Sequence, residues 1–301
     1  MKIKAKYYLL DAANRSGKLV PVEGEKSKRL KRVLTRMLDD FQTRCENNGI
    51  TPFLVYGSAL GAYRHKGFIP WDDDVDVAMT REDWNNLKTI FDDVFSDKYD
   101  LEGPNYGDKD SCGAWGKVFL KGTKYVELLN LNTPYNKGFF LDIFIIDGLS
   151  DNVLIRSFDY FVARIMRFIG NSMMYYQYPS DLMDELMAVS WQTKLYLFSR
   201  KFIGFLFSWV SHMKWISLYD NFISRHDKSM YTIMNYDDAI TVRGAWFPVK
   251  KVPFENIMAN VPCKITDYLE SAFGISYMEL PPEEQREQHF CVELDFGDND
   301  C

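Results

Sequence analysis

The chain has 301 residues, 47% apolar and 16% aromatic, enough for one large or two modest domains with a buried core. A net charge of -6 and an isoelectric point near 5.4 argue against broad nucleic-acid binding, because contact with a phosphate backbone needs a basic surface. Cys45, Cys112, Cys263, Cys291 and Cys301 are scattered, form no C-x-x-C pair and lack histidines at ligand spacing, so reduced thiols are expected and a structural zinc site is not.

Lys2, Lys4 and Lys6 precede an apolar run at Tyr7 to Leu10 that is too short for a secretory signal, and a cytoplasmic protein is expected. From Arg29 to Asn48, after a polar entry at Ser27, apolar residues recur every three or four positions from Leu30 to Cys45 and predict an amphipathic helix covering a sheet. Phe53 to Tyr56 reads as a buried strand that stops at Gly57-Ser58, where a phosphate can approach the backbone.

After a connecting stretch comes Trp71-Asp72-Asp73-Asp74-Val75-Asp76-Val77-Ala78-Met79. On a strand, this alternation puts Asp74 and Asp76 on one face and Val75 and Val77 against a core. Two carboxylates on one face repel unless a cation sits between them. Hard oxygen ligands of this kind suit magnesium, with manganese as the variant, shared with a substrate phosphate. The plainer reading is a solvated acidic turn. A calcium loop is excluded, since the position counted sixth from Asp72 is Val77 where glycine is required.

Thr80 is a predicted N-cap for a helix from Arg81 to Phe95. The order of strands and helices indicates an α/β or α+β sheet layer. Strands are predicted around Trp115 to Leu120, Tyr125 to Leu129 and Phe139 to Ile146. Within the last, Asp142 has only apolar neighbours, so burial without a partner would protonate it or cost several kcal/mol. It is read as a third metal ligand, a catalytic base, or a carboxylate capping backbone amides. Lys117 and Lys121 are read either as phosphate contacts or as ordinary exposed lysines.

Asn152 to Tyr219 is helical in pattern and rich in aromatics. Trp191, Leu195, Phe198, Phe202, Phe205 and Trp209 fall on one helical stripe, and no acidic residue occurs between Glu185 and Asp220 while Lys194, Arg200, Lys201 and Lys214 do. The stripe is read as a packed subdomain or dimer contact, or as a helix lying on an anionic membrane surface. It is too interrupted to span a bilayer. Arg286 and His289, near the C-terminus, are read as either phosphate contacts or a surface helix end.

Gly57-Ser58 followed by Asp74-x-Asp76 resembles the nucleotidyltransferase superfamily, and YGSALGAYRHKGFIPWDDDVDVAM resembles the signature of the LicD family, which includes phosphocholine transferases and is related to fukutin-type transferases. The likeness runs from about Arg29 to Asp147 and again from Ala239 to His289, where Trp246-Phe247-Pro248 and Phe254-Glu255-Asn256 carry it. Phe273-Gly274-Ile275 departs from the Tyr-Gly-Asp often found in that family.

The resemblance implies an α+β fold of α/β-like character: a nucleotidyltransferase-type mixed sheet flanked by helices, with a helical, aromatic-rich insertion. The expected divisions are a catalytic core over 1–150, a helical subdomain over 151–238 and a C-terminal segment over 239–301 packing back on the core. It implies magnesium held by Asp74, Asp76 and Asp142, with Asp142 also the base. Gly57 and Ser58 would cradle phosphate, Arg64, Lys66 and Lys117 would contact it, and Trp71 would stack on a base or cover a choline group. The implied activity moves phosphocholine, or ribitol or glycerol phosphate, from a CDP-activated donor to a hydroxyl of a lipopolysaccharide, teichoic-acid or capsule precursor, at the inner face of the plasma membrane where the acceptor is lipid-linked. The alternatives are transfer of NMP to a small molecule or protein, and a non-catalytic glycan- or membrane-binding module.

Overall fold

A computed structural model describes residues 18–20, 22–107, 113–188, 190–226, 228–234, 240–282, 286 and 291–298. The N-terminal lysines, Cys112, Ala239, His289 and Cys301 lie outside these. The first apolar stripe forms helix α1 (Gly24–Asn47), with Leu30, Val33, Leu34, Met37, Leu38, Phe41 and Cys45 buried. It starts earlier than the polar entry at Ser27 implied. It ends where Gly49 takes a φ of 73°, which a residue with a side chain adopts only at a cost.

Strand β1 is only Phe53–Leu54. The chain turns at Tyr56, which has a φ of 43°, and Tyr56–His65 is helix α2. Gly57 and Ser58 therefore lie in the first turn of a helix and not in a loop. Gly61, further along α2, has no room for a side chain: a Cβ there would sit 2.4 Å from the carbonyl oxygen of Gly67 and 3.1 Å from the Ile69 nitrogen. This close approach lets the loop after α2 fold back across the helix.

Strand β2 (Asp76–Thr80) leads directly into α3 (Arg81–Val94), where the Thr80 hydroxyl accepts from the Asp83 N–H and caps the first turn as expected. Strands β3 (Tyr99–Glu102), β4 (Gly116–Leu120) and β5 (Lys124–Glu127) follow, and then the long β6 (Phe139–Leu149). The predicted strand to Leu129 gives way after Glu127 to a short 3-10 turn, Leu128–Asn130.

The helical stretch is four helices: α4 (Val153–Gln177), α5 (Asp181–Met187), α6 (Trp191–Leu206) and α7 (His212–Ile223). Strands β7 (Tyr231–Met234) and β8 (Ile240–Val242), hairpin β9 (Lys250–Phe254) and β10 (Ile257–Val261), helix α8 (Ile265–Phe273) and strand β11 (Cys291–Asp295) complete the chain.

Among the described residues the fold is α+β, with a mixed seven-stranded sheet in the order β1-β2-β6-β4-β3, extended by β7 on β6 and β8 on β7. Strand β6 is its axis. It pairs in parallel with β2 and antiparallel with β4 and β7, and all eleven of its residues are buried. A strand covered on both faces reads as a continuous apolar run, which is why Phe139 to Ile146 shows no alternation. Strand β11 pairs with β5, so the C-terminal segment returns to the first half of the chain. Cys45, Cys263 and Cys291 are free thiols.

Burial also sets a pH limit on stability. His212, at the start of α7, is 1% exposed, its Nδ1 lies 2.8 Å from the Tyr135 hydroxyl, and burial pushes its pKa down from 6.5 to about 4. Below pH 6.5 the unfolded chain takes up a proton that the folded chain refuses. The native state therefore loses stability as pH falls from 6.5 towards 4, by about 2 kcal/mol at pH 5. Urea unfolding of the wild type and of His212→Gln at pH 7.5 and pH 5 is expected to show that much less pH dependence in the variant. Equal slopes would mean that His212 is not the group.

Candidate active site

The parallel pairing of β2 with β6 sets Asp76 opposite Asp142 in register. Both carboxylates thus begin at the same level on neighbouring strands. Asp74 lies before β2 rather than on it, in the extended stretch entering the strand. Even so, carboxylate oxygens of Asp74, Asp76 and Asp142 all come within 4.8 Å of one another. The backbone holds them there: the Asp142 N–H donates to the Val75 carbonyl at 3.0 Å, and the Val55 N–H donates to the Asp76 carbonyl at 3.1 Å.

Ser58 is 2% exposed, and its hydroxyl accepts from the Asp76 N–H at 2.9 Å. Its direct effect in the structure is to fix the strand start that carries Asp76. Gly57 lines the cavity beside it, and a Cβ there would meet a carboxylate oxygen of Asp72 at 2.6 Å. Tyr56, just before it, has its N–H bound by the Tyr268 hydroxyl at 2.9 Å while its φ is positive. A non-glycine residue in that region costs of order 1 kcal/mol or more, and the surrounding contacts must hold it.

These groups floor a cavity of about 870 Å³. Its lining includes the aromatic side chains Tyr56, Trp71, Trp115 and Phe144, of which Phe144 packs against both Tyr56 and Trp115, and its lip takes in Phe273, Tyr277 and Pro282 from the C-terminal part of the chain. Trp115 donates from Nε1 to Asp142 Oδ1 at 2.9 Å, and Lys117 Nζ lies 3.1 Å from the same oxygen. Lys117 is 3% exposed, also faces Glu127 Oε2 at 3.4 Å, and sits 3.4 Å over the Phe140 ring. It is therefore a buried counter-ion on the cavity floor, not an exposed lysine.

Burial pushes the Asp142 carboxyl up; Lys117 pulls it down, and Glu127 and Asp74 push it up again. Around the floor, Asp74, Asp76, Asp142 and Glu127 outnumber Lys117, an excess of negative charge that favours a cation. Asp72 and Asp73 extend the cluster through Asp74, with oxygens of these three also within 4.8 Å. Asp73, however, is turned towards the core, where the Tyr125 hydroxyl donates to it at 2.7 Å.

The remaining predicted residues divide. Arg64 lines the cavity, but its guanidinium donates to the carbonyl oxygens of Tyr277 at 2.9 Å and Glu279 at 3.1 Å, so it fastens the lip. Trp71 lines the cavity with the Arg286 guanidinium 4.4 Å from its ring centre. Lys66 does not line it: it ends α2 with a φ of 59°, its side chain is exposed, and its carbonyl accepts from the Glu255 N–H. Lys121 also lies elsewhere, donating to the Ser96 carbonyl at 2.6 Å.

Three residues were not singled out from sequence. Trp115 faces the cavity from just before β4, Glu127 from the end of β5, and Tyr277 from the C-terminal lip. On the strand predicted around Trp115 to Leu120, Trp115 and Lys117 stand two apart, the one signal that could have paired them; in the structure Trp115 lies just before β4. Their meeting with Asp142 depends on the register that sets Lys117 opposite it.

Comparison with known proteins follows the same boundary. The family model described as LicD/FKTN/FKRP, nucleotidyltransferase domain, matches residues 49–145, which include Gly57 and all three clustered acids. Over 117 residues the chain is 34% identical to the lipopolysaccharide cholinephosphotransferase LicD of Haemophilus influenzae, across 39% of this chain and 43% of that protein. It is also 37% identical over 57 residues to an uncharacterized protein of Rickettsia prowazekii, across 19% of this chain and 21% of that one. The matched segments span less than half of these relatives' lengths.

Proposed function

The chain belongs to the LicD family through the nucleotidyltransferase domain in its first half, and on that premise we propose that it transfers an alcohol phosphate, with phosphocholine the first choice, from a CDP-activated donor to a glycan hydroxyl. The observation that carries this reading is the convergence of Asp74, Asp76 and Asp142 on the floor of a large cavity beside Gly57. Three carboxylates with oxygens so close suit a hard divalent ion, magnesium or manganese. Bound there, such an ion would neutralise the diphosphate and the departing nucleotide.

The protein's own groups supply the rest. Asp142 has Oδ1 engaged by Trp115 and Lys117, so the carboxylate is fixed in orientation and Oδ2 is left to take the proton of the acceptor hydroxyl. The acceptor oxygen then bonds to the phosphorus that bears the alcohol, the bond from that phosphorus to CMP breaks, and CMP leaves with the electron pair. Four aromatic side chains in the cavity lining, Tyr56, Trp71, Trp115 and Phe144, suit a quaternary ammonium better than a polyol, which favours choline. The relative's printed acceptor, lipopolysaccharide, is the first acceptor to try, with a teichoic-acid precursor beside it.

The test is incubation of the full chain and magnesium with an acceptor and one of CDP-choline, CDP-glycerol, CDP-ribitol or an NTP. CMP release with phosphocholine on the acceptor is the expected outcome. Pyrophosphate release with nucleotide on the acceptor would replace the proposal with NMP transfer, and no product from any donor would leave the reading of a binding module.

A further inference from the structure

We propose that helices α4 and α6 form a docking face that lies flat on an anionic bilayer surface. Along α6 and just past its end, Trp191, Leu195, Phe198, Phe202, Phe205 and Trp209 continue one stripe, and every one of them is exposed, from 48% at Phe202 to 76% at Trp209. Helix α4 repeats the spacing with Leu154, Phe158, Phe161, Ile165 and Phe168, exposed by between 42% and 78%. The two helices pack together beside their stripes: Arg200 of α6 lies 4.2 Å from the ring centre of Phe168 in the α4 stripe, and Tyr176 of α4 has its ring 5.9 Å from that of Phe205 in the α6 stripe. An apolar area of this kind is well beyond isolated surface residues and marks an interaction site.

Charge identifies the occupant. The chain carries a net -6, yet between Leu186 and Tyr219 it has Lys194, Arg200, Lys201 and Lys214 and no acid. The acid of α4, Asp159, is buried and paired with Arg225 at 2.8 Å and His226 at 3.0 Å, away from the stripe. Asp184 is paired with Lys201 at 2.6 Å and Glu185 with Lys18 at 2.5 Å. Arg164, Lys194 and Lys214 are exposed.

A second copy of this face would set like charges against each other, whereas anionic headgroups complement them. No helix among the described residues is long and apolar enough to cross a membrane, so burial is limited to the depth of one helix face. Helix α6, about 24 Å long by its residue count, carries tryptophans at Trp191 and just past its end at Trp209, as amphipathic rings favour at a headgroup boundary.

The face also has a short route to the cavity. Leu197 on the inner side of α6 packs in one cluster with Leu128, and the next two residues, Leu129 and Asn130, line the cavity. A docked protein would hold its cavity near the lipid surface, whichever alcohol phosphate it transfers.

Flotation of the full chain with vesicles of phosphatidylcholine alone, or of equal parts phosphatidylcholine and phosphatidylglycerol, tests this. Binding to the anionic vesicles alone, weakened by salt, is expected. Phe198→Ser with Phe202→Ser is expected to cut it about tenfold without changing the melting temperature, since both side chains are exposed. Absence of flotation at low salt, or flotation unchanged by the double variant, would overturn the proposal. So would a lipid-free dimer that the same variant converts to monomer, because that result would put a second copy on the face.

Discussion

Asp76→Asn is expected to lower CMP release from CDP-choline by about a thousandfold while leaving the melting temperature unchanged or slightly raised. Asparagine keeps the shape and the backbone N–H that Ser58 accepts, so the entry to β2 stays in place. What it removes is one of the negative charges packed with Asp74, Asp142 and Glu127 on the cavity floor. Mutual repulsion among carboxylates opposes folding when no cation is present, and removing one relieves it. The same charge is what a divalent ion needs. Magnesium should therefore raise the melting temperature of the wild type, as any ligand of the native state does, and raise that of the variant much less. Lys117→Met should do the opposite to the apo protein, destabilising it by leaving the carboxylates without their buried counter-ion. An Asp76→Asn protein with wild-type turnover would remove Asp76 from the ligand set, and a wild type indifferent to magnesium would remove the ion.

Much of this was legible in the sequence because it is local. The apolar stripe of α1, the Thr80 cap and the buried run around Asp142 follow from spacing and residue type within a few turns of chain. The remainder depends on pairings that join distant segments. The chain after Leu54 could not be read as a helix start, since the turn depends on Tyr56 being held at a positive φ by Tyr268, 212 positions away. Lys117 reads as either a phosphate contact or an exposed lysine, and only the β4–β6 register puts it opposite Asp142. Ser58 reads as a phosphate contact from its neighbour Gly57, yet its hydroxyl meets the backbone of Asp76, a contact only the folded sheet creates. Lys66 sits in the most recognisable stretch of the chain and still points away from the cavity, because ending α2 turns it outward. The exposed stripe of α6 shows the opposite limit: periodicity gave its spacing, but whether the stripe was covered depended on the packing of the other helices.

Arg81→Met should produce the largest loss of stability, about 3–5 kcal/mol in urea unfolding. Arg81, 4% exposed, bridges two buried carboxylates. Its Nε and Nη2 each reach an oxygen of Asp147 at 2.7 Å, and Nη1 reaches Asp220 at 2.8 Å. Asn105 donates to the other Asp220 oxygen at 2.6 Å. Without the guanidinium, two buried carboxylates lose the cation that bridges them. Lysine would not restore the network, because a single ammonium cannot reproduce the planar fork that grips Asp147 while also reaching Asp220. The network ties the first residue of α3, directly after β2, to β6 and α7, so it closes the far end of the strand pair that carries Asp76 and Asp142. Register between those strands is nevertheless fixed by their own ladder, from Asp76 opposite Asp142 to Thr80 opposite Ile146. Turnover per folded molecule should therefore persist in Arg81→Met at temperatures where the protein is folded, the reverse of Asp76→Asn. A double-mutant cycle with Asp220→Asn separates the contributions: a coupling of less than about 0.5 kcal/mol would show that the two side chains do not act as one network.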